Sequence, residues 1–144
     1  VAHAISNTTK AFDYVLLLQP TSPLRNNNHI DEAIELLIKK SAYAIISVTE
    51  TNHSPQWTNI LPPNKSMVNF LNNEAFNKRS QDLEKYYLLN GAIYICETKR
   101  FLERNSFFLN NNIYAYLMNR ECSIDIDEEI DFQLATLIFE NNSN

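Results

Sequence analysis

Apolar positions fall into short unbroken runs and into three- and four-residue repeats, and the two patterns take turns along the chain. Tyr14-Val15-Leu16-Leu17-Leu18 is a run without alternation, which suits a strand covered on both faces at the centre of a parallel sheet. Ile30, Ala33, Ile34, Leu37 and Ile38 recur at helical spacing with charges opposite, so a helix packed on the sheet is predicted there. Tyr43 to Val48, YAIISV, reads as the next strand, and a unit of this length implies a parallel pair with a right-handed crossover. Ala92 to Cys96 predicts another strand, Lys99 to Glu103 a short helix, Ile113 to Met118 a strand, and Ile130, Leu134, Leu137 and Ile138 a C-terminal helix. The expected class is α/β, with a mostly parallel sheet flanked by helices.

Between Thr49 and Tyr87 this regularity stops. The stretch holds Pro55, Pro62, Pro63, the sole tryptophan Trp57 and a charged run, FNKRSQDLEKYY. It is too long for a simple loop in a compact domain, so residues 49–87 are expected to form an insertion or a partner surface. Its apolar groups, Trp57, Phe70 and Phe76, are expected to be buried by a second subunit.

A single domain, 1–144, is expected from 144 residues. Twelve basic residues against seventeen acidic ones, with no basic stripe, argue against a nucleic-acid partner. No run of 18 apolar residues exists to span a membrane and no signal peptide is seen. Cys96 and Cys122 lack metal-type spacing, so reduced thiols in a cytoplasmic protein are expected. The chain has one glycine, Gly91, where average usage would give roughly ten. These residues therefore hold neither a Walker-type phosphate loop nor a dinucleotide fingerprint. The opening VAHAISNTTKAF reads as the tail of an amphipathic helix, and an N-terminal truncation is expected.

Candidate chemistry gathers in three places. Gln19 to Arg25, QPTSPLR, follows the first strand, and its two prolines stop that strand from continuing. Ligands in open α/β sheets bind at the carboxyl ends of strands, so Gln19, Thr21, Ser22 and Arg25 are candidate ligand contacts. Arg25 could pair a carboxylate or phosphate bidentately. The alternative is a polar strand-to-helix loop, and the turn alone does not separate the two. In Ser123-Ile124-Asp125-Ile126-Asp127-Glu128-Glu129, residues i and i+2 share a face if the segment is extended, so Asp125 and Asp127 point the same way. Their mutual repulsion is readily offset by a divalent cation, and oxygen ligands suit Mg²⁺. The competing reading makes Asp127 an N-cap, with Glu128, Glu129 and Asp131 complementing the helix dipole. In Leu89-Asn90-Gly91-Ala92-Ile93-Tyr94-Ile95 the glycine permits a positive φ or a close approach. Tyr94 could offer its hydroxyl to a ligand or be a satisfied core residue. His3, His29 and His53 are scattered and read as surface residues.

In this order, LLLQPTSPLR, RSQDL, NGAIYI and SIDIDEEIDF closely resemble the cytidylyltransferases that activate nonulosonic acids, the CMP-sialic acid synthetase family. The likeness covers nearly the whole chain. It implies a Rossmann-like domain of the nucleotide-diphospho-sugar transferase (GT-A-like) type, working as a homodimer. The implied reaction joins CTP to N-acetylneuraminate or a relative such as legionaminate, with Mg²⁺ or Mn²⁺, releasing pyrophosphate. Carried over, Gln19 would contact the sugar, Asn90 and Tyr94 would line its pocket beside Gly91, and Asp125 and Asp127 would hold the metal. The insertion would be the dimerisation element, bringing Arg79 to the neighbouring subunit's sugar pocket.

The chain departs from that pattern in three respects. The family's first strand and phosphate-holding turn have no counterpart here, Ser80 precedes Gln81 where a basic residue is usual, and Leu88 stands where many members carry arginine. The 144 residues alone are therefore expected to be inactive. Two rival readings are a 3-deoxy-octulosonate-type cytidylyltransferase and a non-catalytic truncated pseudoenzyme or split-gene fragment that retains dimerisation.

Overall fold

A computed structural model describes residues 1–71, 78–79 and 82–142. The elements in chain order are α1 (Ala2–Ser6), β1 (Tyr14–Leu17), α2 (Asn27–Lys40), β2 (Ala44–Glu50), β3 (Tyr87–Glu97), α3 (Thr98–Arg104), β4 (Ile113–Leu117) and α4 (Glu129–Asn142), with short 3₁₀ turns at Pro55–Trp57 and Arg120–Cys122. Four strands form one sheet in the order β1-β3-β2-β4. The architecture is α/β, a sheet flanked by helices, consistent with a Rossmann-like fold.

The sheet is mixed, which corrects the expectation of a mostly parallel one. β2 and β4 run parallel, with Ala44 opposite Ile113 and Val48 opposite Leu117. β1 and β3 run antiparallel, with Tyr14 opposite Glu97 and Leu17 opposite Tyr94. Among the described residues no α-helix lies between β2 and β3, and the Glu97 amide bonds the Tyr43 carbonyl while the Thr51 amide bonds the Tyr86 carbonyl, as in an antiparallel pair. β3 therefore lies between β1 and β2, so the first βαβ unit does not form an adjacent pair.

The run Tyr14 to Leu18 also lies elsewhere than expected. β1 is the edge strand, and its burial alternates, with Tyr14 and Leu16 exposed while Val15 and Leu17 face inward. A sequence run of uniform apolarity does not distinguish a central strand from an edge strand with one uncovered face.

Two apolar clusters flank the sheet. On one side Ala33 and Leu37 of α2 pack with Ile45, Ile93, Ile95, Tyr116 and Met118. On the other, Phe101 of α3 and Phe107 pack with Ala44, Ile46 and Cys96. The inward stripe of α2 is narrower than its periodicity predicted, because Ile34 and Ile38 are exposed. Asn26 and His29 start that helix with a capping box: Asn26 Oδ1 accepts from the His29 amide, and His29 Nδ1 accepts from the Asn26 amide.

Residues 1–49 and 89–144 form one compact unit and residues 50–88 a second. Within the second, Thr51 donates its amide to the Tyr86 carbonyl, Gln56 bonds the Tyr86 hydroxyl, and Lys85 pairs with Glu50 at 3.0 Å. Trp57 and Phe70 are half-buried, while Ile60, Met67 and Val68 are exposed. Phe76, Ser80 and Gln81 lie outside the described residues.

Candidate active site

The segments singled out by sequence meet within the first unit. β1 ends at Leu17 and the chain turns at Gln19 to Arg25, where the Ser22 amide donates to the Gln19 carbonyl at 3.3 Å. Arg25 closes this turn from inside: its Nη1 donates to the Gln19 carbonyl at 2.5 Å and to the Ser22 carbonyl at 2.7 Å. One guanidinium nitrogen is thus committed to the chain itself, and burial lowers the Arg25 pKa. Through Nη1, Arg25 thus braces its own turn. Thr21 is exposed, whereas Ser22 is fully buried and donates its hydroxyl to the Asn90 carbonyl at 3.0 Å.

Gly91 has φ +71, and a Cβ there would collide with Gln19 Oε1 and sit 3.0 Å from Ser22 Oγ. The sequence asked what sits against this glycine, and the answer is the turn. Inside a strand a positive φ disturbs the ladder, and side chains supply partners for amides around it. The Ala92 amide donates to Asn90 Oδ1, and the Ile93 amide donates to Ser47 Oγ at 2.8 Å.

Asn90 is the hub of this arrangement. It is buried, its Oδ1 accepts from Ser47 Oγ at 2.6 Å and from Ala92, and its Nδ2 donates to Ser123 Oγ at 2.9 Å and to Met118 Sδ. Ser123 Oγ donates onward to the Asn119 carbonyl at 2.8 Å. Ser47 and Ser123 were not among the residues singled out by sequence. The available signal for Ser47 was a lone hydroxyl in the apolar run YAIISV.

Downstream of Ser123 the segment crosses back to the turn, where the Ile126 amide donates to the Thr21 carbonyl at 2.8 Å. Exposure alternates as the sequence pattern requires: Ile124 and Ile126 are half-buried, Asp125 and Asp127 exposed. The cap is a different residue from the one expected. Asp131 Oδ2 accepts from the Glu128 amide at 2.9 Å and from the Asp127 amide at 3.2 Å, so Asp131 satisfies the start of α4 and the Asp127 side chain does not. This leaves both carboxylates of the pair without a hydrogen-bond partner among the described residues, and two uncommitted oxygen donors on one side of a segment fit a hard divalent cation. Among the described residues no group of three or more His, Cys, Asp or Glu gathers to hold a metal. Any such ion would take its remaining ligands from substrate and water.

Tyr94 is half-buried, its ring 5.5 Å from that of Phe107. Burial raises its pKa, and the Asp125 carboxylate adds to the shift, which places an un-ionised phenol near the acidic pair. Arg79 is exposed in the second unit.

Similarity to known proteins covers nearly all of the chain. It is 36% identical over 140 residues to an N-acylneuraminate cytidylyltransferase of Escherichia coli O18:K1:H7, covering 96% of this chain and 32% of that protein. It is 37% identical over 137 residues to the CMP-N,N'-diacetyllegionaminic acid synthase of Legionella pneumophila, covering 91% of this chain and 56% of that one. Over nearly its whole length the chain is similar to cytidylyltransferases of the CMP-sialic acid synthetase kind. A pseudaminic acid cytidylyltransferase of Campylobacter jejuni is 28% identical over 129 residues, so relatives named for three different nonulosonic acids share this sequence. No protein-family model matches the chain. The chain spans between about a third and a little over half of the length of these members of the family.

Proposed function

We propose that the protein is a nucleotidyltransferase of the N-acylneuraminate cytidylyltransferase type, transferring CMP from CTP to a nonulosonic acid and releasing pyrophosphate. What carries this reading is a convergence: the turn 19–25, the strand segment 89–95 and the acidic segment 123–127, remote in sequence, meet through Ser22, Asn90, Ser123 and the Thr21–Ile126 bond. They meet at the carboxyl end of β1, where ligands of open α/β sheets bind. The GT-A-like form of the fold belongs to this proposal.

In the proposed reaction the anomeric hydroxyl attacks the α-phosphorus of CTP in line and pyrophosphate leaves. Charge builds on phosphate oxygens, so the protein's task is to position the reactants and to neutralise that charge. Asp125 and Asp127 would hold Mg²⁺ or Mn²⁺, which supplies the charge neutralisation when bound. Gln19, packed against Gly91, the exposed Thr21 and the half-buried Tyr94 would contact the substrates. None of the three histidines is placed as a base, and His29 is occupied in its capping box.

The working form is proposed to be a homodimer in the cytoplasm. Exposed Ile60, Met67 and Val68 on the 50–88 unit support a partner surface, and the two free cysteines suit a reducing compartment. Among the described residues no helix is long and apolar enough to cross a membrane.

The test is ³¹P NMR of the protein with CTP, Mg²⁺ and N-acetylneuraminate or N,N'-diacetyllegionaminate. Sugar-dependent appearance of pyrophosphate and a CMP-sugar phosphodiester supports the proposal. A folded full-length protein that converts neither these sugars nor pseudaminate contradicts it, whereas the 144 residues by themselves are expected to be inactive.

A further inference from the structure

We propose that Ser123 is a positioning residue, which through Asn90 holds the Asp125 and Asp127 carboxylates in the orientation that a divalent cation needs. The inference rests on the metal reading given above.

Its basis is saturation. A neutral amide offers two donors on nitrogen and two acceptor sites on oxygen, and all four of Asn90 are used: Ser47 Oγ and the Ala92 amide on Oδ1, Ser123 Oγ and Met118 Sδ on Nδ2. With 1% of its surface exposed, Asn90 acts as a brace between these segments. Ser47 sets the sense of that brace, because a hydroxyl that accepts from the Ile93 amide donates its own proton to Asn90 Oδ1. The amide nitrogen is thereby turned towards Ser123.

Ser123 relays this orientation to the acidic pair. Its Oγ accepts from Asn90 and donates to the Asn119 carbonyl, so it is fixed from two directions. Three residues later Ile126 is held by Thr21. Asp125 lies between these two points and Asp127 directly after the second, and among the described residues no side-chain hydrogen bond restrains either carboxylate. Their direction is set by the backbone alone. Groups that orient metal ligands in this indirect way commonly change affinity by 10-fold or more when lost.

The experiment compares the protein with Ser123→Ala, Ser123→Thr, Asn90→Ala and Asp125→Asn. Amide exchange at Ile126 is read by NMR, Mn²⁺ affinity by electron paramagnetic resonance, and kcat and KM by pyrophosphate release. Ser123→Ala is expected to speed exchange at Ile126 relative to amides of β2 and β4, to weaken Mn²⁺ binding on the order of 10-fold, and to lower kcat with the sugar KM unchanged. Ser123→Thr, which keeps the hydroxyl, is expected to restore all three. A Ser123→Ala protein with a lower melting temperature but unchanged exchange and Mn²⁺ affinity overturns the proposal. So does an Asn90→Ala variant whose Ile126 exchange and Mn²⁺ affinity match those of the parent. If Asp125→Asn binds Mn²⁺ like the parent, the metal reading itself falls and this proposal with it; Ile126 exchange then still reports whether the brace exists.

Discussion

The Ile126 amide donates to the Thr21 carbonyl at 2.8 Å, and this one backbone bond ties the proline-bounded turn after the first strand to the acidic segment near the end of the chain. It lies between two exposed carboxylates, Asp125 and Asp127, and leaves both side chains uncommitted.

Because Asp131 and not Asp127 satisfies the amides at the start of α4, stability and activity should separate between these residues. Asp131→Ala is expected to lower stability by about 1 kcal/mol with activity largely kept. Asp127→Asn is expected to lose most activity with an almost unchanged melting temperature, since removing repulsion between neighbouring carboxylates costs the fold nothing. Thermal melts and pyrophosphate release on both variants check this; the reverse pattern would restore the cap reading of Asp127.

Gly91→Ala meets two obstacles, a left-handed backbone and the Gln19 side chain. The first alone costs about 1–2 kcal/mol. Removing the obstructing group with Gln19→Ala should recover part of the loss, so the double variant is expected to be more stable than the sum of the two single effects. Denaturant melts give the coupling, and strict additivity would show that the turn does not rest on the glycine.

Cys96 is fully buried, and burial pushes its thiol up to about 11 from an ordinary value of 9.0. A folded-state pKa above the unfolded one stabilises the protein below pH 9, and that contribution is lost as pH rises through about 11. Tyr116, raised first by burial and then by its bond to Glu32, acts in the same direction. Stability is therefore expected to fall as the pH rises above 9, and Cys96 to resist thiol reagents at pH 8 until the protein unfolds. Rapid native-state labelling of Cys96 would contradict the buried placement.

Trp57, half-buried at the end of a 3₁₀ turn in the 50–88 unit, tests the proposed dimer. Trp57→Ala should shift the protein towards monomer and weaken sugar binding together. Light scattering that shows a parent monomer at micromolar concentration, or a Trp57→Ala dimer with unaltered sugar affinity, would remove the dimerisation role from this unit.

Much of the fold was legible because its signals are local. The spacing of Ile30, Ala33 and Leu37 marks α2, and YAIISV marks β2, within three residues of the observed ends. The edge position of β1 was not legible, since a strand's neighbours are decided by segments far away, here β3. The site shows the same division. Alternation in SIDID predicted which side Asp125 and Asp127 take, and the single glycine predicted a close approach. The saturation of Asn90 depends on Ser47, 43 residues away, and on Ser123, 33 residues away, and no local pattern carries that. The bracing of the turn by Arg25 Nη1 is likewise set by its curl, which brings two carbonyls within reach.

The measurement that bears most directly on the central claim is the ratio of kcat/KM values for CTP-dependent pyrophosphate release with nonulosonic acids and with 3-deoxy-octulosonate. A sugar-facing site built from residues 19–21 and Tyr94 predicts turnover with at least one of N-acetylneuraminate, N,N'-diacetyllegionaminate and pseudaminate, at a kcat/KM at least about 10-fold above that for 3-deoxy-octulosonate, a difference of 1.4 kcal/mol in transition-state binding. Equal or greater turnover of 3-deoxy-octulosonate, or none with any nonulosonic acid by a folded full-length protein, would contradict it.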